Sequence, residues 1–167
     1  MSSIKQLWAP WRMTFIQGAE AHSSQSCVFC TLLEHNDDSQ NLILHRSSDV
    51  FVILNKYPYN NGHLMVIPLK HTAELTALSP AQHLDLMVFT NHCVQALKEV
   101  YRPEGFNIGM NLGAAGGAGI REHLHFHIVP RWTGDTNFMP VLAETKSMPQ
   151  HLEESFKSLL PYFRRIT

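Results

Sequence analysis

The sequence predicts an α+β fold: about five antiparallel strands in one sheet, one long helix packed across it, and a C-terminal helix. Three observations carry this prediction. Short apolar runs, Leu42–His45, Val50–Leu54 and His63–Pro68, are separated by polar turn residues, which is the signature of strands joined by tight connections. One stretch, Pro80 to Tyr101, repeats apolar residues at helical spacing, whereas Arg121 to Trp132 alternates histidine with apolar residues at the period of a strand. With 167 residues, 44% of them hydrophobic, the chain suits one domain that buries a real core. There are no internal repeats. The expected division is an N-terminal aromatic arm, residues 1–26, followed by a single domain, residues 27–167.

The arm contains Leu7-Trp8-Ala9-Pro10-Trp11-Arg12-Met13 and a polar stretch from Gly18 to Ser26. Two tryptophans this close are expected to pack, either on the body of the same chain or on another subunit. Cys27-Val28-Phe29-Cys30 follows. Thiolates at this spacing can chelate zinc from a tight turn if two further ligands arrive from elsewhere, or they can form a redox pair; Thr31 to His35 is compatible with a short helix and leaves the redox alternative open. Three cysteines in all do not make a disulfide framework.

Leu42–His45 and Val50–Leu54 read as a hairpin closed by Arg46–Asp49. Asn55 to Gly62 is turn chemistry, and His63–Pro68 is the third strand. Ser79-Pro80-Ala81-Gln82 opens a helix with a cap, a proline in the first turn and a glutamine at the capping-box position. Leu84, Met87, Val88, Val94, Leu97 and Tyr101 recur along it as its expected apolar face, and Pro103 and Gly105 end it. His83, His92 and Cys93 are expected to be surface or core residues without chemistry. In the fourth strand, Gly105 to Leu112, one face would carry Phe106, Ile108, Met110 and Leu112. The other, with Asn107, Gly109 and Asn111, would leave room for a ligand. Pro149 is expected to open a closing helix with Leu152, Phe156, Leu159, Leu160 and Phe163.

Formal charge is −1, from 13 basic and 14 acidic side chains, so no broad footprint for nucleic acid or a membrane surface is present. The longest aliphatic runs fall far short of the ~20 residues a membrane span requires. No secretory pattern opens the sequence, so the expected compartment is the cytoplasm and the expected partner a small molecule.

The chemistry concentrates in Arg121 to Trp132. On a strand, His123, His125 and His127 face one way and Leu124, Phe126 and Ile128 the other. Neutral imidazoles can ligate a metal, attack phosphorus or move protons near pH 7. Directly before them, Gly113-Ala114-Ala115-Gly116-Gly117-Ala118-Gly119 supplies small residues and amides suited to phosphate oxygens.

This loop and the H-x-H-x-H strand together resemble the histidine-triad superfamily of nucleotide hydrolases and transferases. Val129-Pro130-Arg131-Trp132 and Gly134-Asp135-Thr136-Asn137-Phe138-Met139-Pro140 look most like its diadenosine tetraphosphate phosphorylase-like branch. The resemblance implies the histidine-triad fold and a nucleotide substrate. It implies that His125 is the nucleophile at an α-phosphorus, that His63, His127 and the amides of Gly117, Ala118 and Gly119 neutralise phosphate oxygens, that Asn111 lies close to His125, and that Asn55 meets ribose hydroxyls. It further implies a structural zinc on Cys27, Cys30, His71 and His123, no organic cofactor, and a homodimer. Two departures bear on substrate: His127 stands where uridylyltransferases carry glutamine, and Ile120-Arg121-Glu122 lacks the serine or glutamine with which some hydrolase branches contact the leaving group. The implied activity is cleavage of dinucleoside polyphosphates by phosphate or water. A purine nucleoside phosphoramidase and a non-enzymatic nucleotide-binding scaffold are the alternatives.

Overall fold

The computed structural model describes residues 27–35, 37–137 and 148–166; the expected aromatic arm, residues 1–26, lies outside the described residues. Five strands, β1 (Ile43–Arg46), β2 (Val50–Leu54), β3 (Leu64–Pro68), β4 (Gly105–Gly109) and β5 (Phe126–Arg131), form one sheet in the order β1-β2-β3-β5-β4. Every neighbouring pair is antiparallel. Three α-helices accompany it among the described residues: α1 (Val28–Glu34), α2 (Pro80–Tyr101) and α3 (Leu152–Phe163). The α+β class, the five-stranded sheet, the one long helix and the C-terminal helix are as the sequence predicts.

The strands β2 and β3 are apolar throughout because both faces of the sheet are covered there. On one face Val50, Val52, Leu54, Leu64, Val66 and Ile128 meet Leu86, Cys93, Ala96 and Leu97 of α2 and Phe156, Leu159 and Phe163 of α3. On the other, Ile43, Phe51, Ile53, Met65 and Ile67 pack against Phe29 of α1. His127 pairs with Met65 and with Gly109, so it lies on this second face, whereas Leu124, Phe126 and Ile128 pack with the first. The predicted alternation therefore holds, and it sends imidazole away from α2.

The capping box of α2 forms as expected: Ser79 Oγ accepts from the Gln82 amide at 3.2 Å and Gln82 Oε1 from the Ser79 amide at 3.0 Å. Arg102, in the left-handed region at φ 49°, ends the helix before Pro103. The expected apolar face needs correction. Leu97 is buried and Val94 and Tyr101 pack against the core, but Leu84, Met87 and Val88 are exposed at 63%, 57% and 40%. The buried stripe runs instead through Leu86, Thr90, Cys93, Ala96 and Leu97. Small side chains at its middle let the helix lie close on the sheet, and Thr90 returns its hydroxyl to the Leu86 carbonyl at 2.7 Å.

Two strand boundaries differ by several residues, and those of β1 and β3 by one. The fourth strand ends at Gly109, not Leu112, and of its expected apolar face Phe106 and Met110 pack on the core while Ile108 and Leu112 stay exposed. Helix α2 lies over β2, β3 and β5, and from the β4 side Phe106 and Met110 reach that core. The histidine strand begins at Phe126, not Arg121. Before it, Leu124 donates its amide to the Thr72 carbonyl at 2.8 Å, a loop partner beyond the end of β3, so His123 and His125 are held by a connection rather than by a ladder.

Candidate active site and metal centre

His63, His125 and His127 come together where the start of β3 meets β5. His63 is fully buried and follows Gly62, whose φ of +74° favours glycine; a Cβ there would stand 3.0 Å from the side chains of Leu97 and Tyr101. That close approach seats the turn against α2. The ring centroids of His63 and His127 are 5.0 Å apart, and those of His125 and His127 4.9 Å.

The hydrogen bonds assign a proton to each ring. A backbone N–H can only donate, so the Tyr59 amide, 3.1 Å from His63 Nδ1, makes that nitrogen an acceptor; Asn55 Nδ2 lies 3.3 Å from the same atom. The proton of neutral His63 is then on Nε2, which donates to His127 Nδ1 at 3.0 Å. This leaves His127 with its own proton on Nε2. His125 is fixed in the opposite sense, because its Nδ1 is 2.9 Å from the His123 carbonyl and must donate. Its Nε2 carries the lone pair. Burial, and secondarily the proximity of His125, pushes His127 down to about 4. Burial also lowers His125, against the opposing pull of the His123 carbonyl and Glu122. Around pH 7 the pair therefore consists of one unprotonated nitrogen and one neutral N–H donor.

His123, buried and two residues before His125, belongs to a second cluster. Its Nε2 donates to the Pro68 carbonyl at 2.8 Å, which leaves the lone pair on Nδ1. That nitrogen stands 3.3 Å from Cys27 Sγ, 3.8 Å from Cys30 Sγ and 3.3 Å from His71 Nδ1, while Cys30 Sγ is 3.4 Å from His71 Nδ1. One lone pair cannot serve three hydrogen bonds, but a common cation can. Tetrahedral zinc with bonds of about 2.0–2.3 Å sets its ligands about 3.3–3.8 Å apart. All four ligand atoms lie within 4.8 Å of one another, and two sulfurs with two imidazoles suit zinc. Without a cation, burial and the neighbouring Cys27 push the Cys30 thiol up. A divalent ion reverses that tendency by taking the thiolate as a ligand.

Comparison with known proteins places the chain in a family. The HIT domain matches residues 36–134. The chain belongs to the HIT family. A HIT relative from Mycobacterium tuberculosis, named AP-4-A phosphorylase, is 38% identical over 97% of this chain and 86% of its own length. A solved HIT structure, the zinc-bound histidine triad family protein of Mycobacterium smegmatis, superposes with a TM-score of 0.67 and 27% identity over 85% of this chain and 96% of that one. Diadenosine triphosphate hydrolase of Plasmodium falciparum, crystallised with cyclomarin A, has the same fold at 18% identity, with a TM-score of 0.62 over 76% and 79% of the two chains.

In this HIT domain, then, the predicted residues fall into two groups that share one backbone. His63, His125 and His127 form the first, with Asn55 beside His63; Cys27, Cys30, His71 and His123 form the second. The glycine-rich loop is a turn in which the amides of Gly117 and Ala118 bond inward, to the carbonyls of Ala114 at 3.0 Å and Gly113 at 3.2 Å. The phosphate role expected of those two amides meets this competition, and Gly119 lies at the bend that follows. Asn111 donates to the Gly117 carbonyl at 3.4 Å and so braces the loop. Arg121 is exposed.

Sequence reasoning missed three supporting residues. Asn60 donates to the Pro130 carbonyl at 3.0 Å and to Asp135 at 2.7 Å, and its own carbonyl accepts from the His63 amide at 3.2 Å. Asp135 is also gripped by Arg131 at 2.6 and 2.9 Å, and that guanidinium holds its carboxyl well below the usual carboxylate range. Together they fasten the turn bearing His63 to the end of β5. Tyr59 contributes its ring as well, 4.8 Å from His63 and 5.7 Å from His127. The Arg131–Asp135 spacing was the only available signal for this latch.

Proposed function

We propose that this HIT-family chain cleaves dinucleoside polyphosphates of the diadenosine tetraphosphate type through a nucleotidyl-histidine intermediate, with inorganic phosphate as the acceptor. The observation that carries the chemistry is the opposed pair of tautomers: an unprotonated Nε2 on His125 beside a neutral His127 that keeps its proton. The 38% identity with the AP-4-A phosphorylase, over nearly the whole chain, supports phosphate over water.

In this mechanism the His125 Nε2 lone pair attacks an α-phosphorus. A P–N bond forms, and the bridging P–O bond breaks with its electron pair going to the departing nucleoside polyphosphate. His127 Nε2–H stabilises the charge that gathers on oxygen, and His63 holds His127 in the required tautomer. A phosphate oxygen then attacks the same phosphorus, the P–N bond breaks, and His125 is returned. Asn55 meets the ribose, and Asn111 with Gly117, Ala118 and Gly119 shapes the wall around the phosphates. A zinc ion on Cys27, Cys30, His71 and His123 would supply structural cross-linking. The role of His123 in the reaction is its carbonyl, which keeps the His125 proton on Nδ1.

Product analysis with diadenosine tetraphosphate tests the reading. ADP and ATP should appear together, and only when phosphate is present. AMP and ATP formed in its absence would make the chain a hydrolase, and no turnover in either condition would reject the substrate class.

A two-fold homodimer belongs to the same proposal. The outer edge of β4 has no neighbouring strand among the described residues, Ile108 and Leu112 expose 45% and 46% of their surface, and Leu84, Met87 and Val88 add apolar surface on α2. Sedimentation equilibrium should return twice the 19.0 kDa chain mass, and Ile108→Glu should shift it toward one. A wild-type monomer at tens of micromolar would reject the assembly. Among the described residues no helix is long and apolar enough to cross a membrane.

A further inference from the structure

Phe29, the second of the two residues inside the Cys27-x-x-Cys30 segment, packs on the two histidines that link the metal cluster to the reaction. Its ring centroid lies 5.4 Å from that of His123, edge-on at 86°, and 5.4 Å from that of His125 at 54°. Only 3% of Phe29 is exposed, and Phe51 backs it at 6.4 Å. The other neighbour of His125 is His127, at 4.9 Å and 86°. One hydrogen bond, from Nδ1 to the His123 carbonyl, holds His125. An imidazole tied at a single atom can still swing about that tether through small coupled changes in χ1 and χ2, the latter a broad torsion in histidine. Such a swing displaces Nε2, the atom on the far side of the ring from the tether.

We infer that Phe29 is a positioning residue for the nucleophile: with His127 it clamps the His125 ring, so that the single hydrogen bond selects the tautomer and the two flanking rings select the direction of attack. This inference rests on the proposed role of His125. Its physical basis is the narrow geometry of in-line transfer, where a misplacement of about 1 Å costs on the order of 10²-fold in rate. It also gives the short helix α1 a second task. Cys27 and Cys30 anchor the helix at the cluster, and Phe29 between them reaches the reacting imidazole.

The test compares Phe29→Leu with Phe51→Leu, which removes the same volume from the same core cluster one ring further away. With diadenosine tetraphosphate and phosphate, Phe29→Leu should lower kcat by about 10- to 100-fold with KM within about threefold of wild type. Phe51→Leu should lose comparable thermal stability but keep kcat within about twofold. Zinc content should be the same in all three proteins. Long-range proton–nitrogen spectra of the imidazoles supply a readout that needs no turnover. His125 should show one Nδ1–H tautomer with a fixed ring in the wild type and an averaged signal in Phe29→Leu. An unchanged kcat and spectrum in Phe29→Leu would overturn the inference, as would equal kcat losses in the two variants or loss of zinc from Phe29→Leu. If the wild type turns over no dinucleoside polyphosphate, the function proposed above fails, while the spectra still decide whether Phe29 clamps His125.

Discussion

His125→Ala should reduce turnover of diadenosine tetraphosphate by at least ~10⁴-fold and leave the chain folded. The expected size follows from the kind of contribution being removed. A covalent route divides one difficult displacement into two easier ones, and no neighbouring group can take it over. His63 and His127 would keep their positions, since their mutual bond and the Tyr59 amide do not involve His125. They would then supply binding and charge stabilisation without a nucleophile, the condition in which enzymes with covalent intermediates retain only residual activity. Rapid quenching with labelled substrate and no phosphate separates this from a binding defect: label should remain on the wild-type protein and be absent from the variant. Turnover within tenfold of wild type in His125→Ala would remove His125 from the mechanism.

The second large effect concerns the Cys27, Cys30, His71 and His123 cluster. Stripping zinc with a strong chelator, or replacing Cys30 with serine, should lower the melting temperature by about 10 °C. A ligand present at about 1,000 times its dissociation constant stabilises the folded state by about 4 kcal/mol, and each kcal/mol moves the midpoint of a domain this size by about 2–4 °C. The domain has its own buried core, so destabilisation rather than complete unfolding is expected. Catalysis should fall further than stability does. Releasing His123 from the metal would loosen the carbonyl that fixes the His125 tautomer, since the two residues are joined through one short stretch of chain. Calorimetry with and without chelator, alongside metal analysis, checks this. A chain purified without zinc that melts at the same temperature with and without added zinc would show that the four ligands do not hold it.

Most of the candidate site is legible in the sequence because its determinants are local. Alternation along β5 puts His127 opposite Phe126 and Ile128 in any sheet that buries those two. The Cys27-x-x-Cys30 spacing is satisfied within a single turn of α1. What was misread depends on neighbours that no local pattern reveals. The large side chains Leu84, Met87 and Val88 have helical spacing, yet the sheet accepts the narrower stripe of Thr90, Cys93 and Ala96, since close approach of a helix favours small residues. Arg121 to His125 has the alternation of a strand, but the ladder with β3 stops at the Val66–Phe126 pair and the Leu124 amide goes to the Thr72 carbonyl instead. The inward bonds of the Gly117 and Ala118 amides depend on the fold of the loop itself, where glycine content signals freedom without saying how it is used. Asn60 acts on Pro130 and Asp135, and Phe29 on His123 and His125, across long separations, and nothing near either residue in the chain marks those partners.

The strand order has a further result for how this protein comes into being. β5 lies between β3 and β4, so a meander of β1, β2 and β3 is joined to a hairpin of β4 and β5 through a seam of residues more than fifty positions apart in the chain. His63 and His71 stand on one side of that seam; His123, His125 and His127 stand on the other. Each half can form from contacts near in sequence, but closing the seam must bear the entropy of ordering everything between them. Neither half holds all of either cluster, so the His63, His125 and His127 group and the Cys27, Cys30, His71 and His123 group are assembled by the same event: the docking of two pieces of sheet.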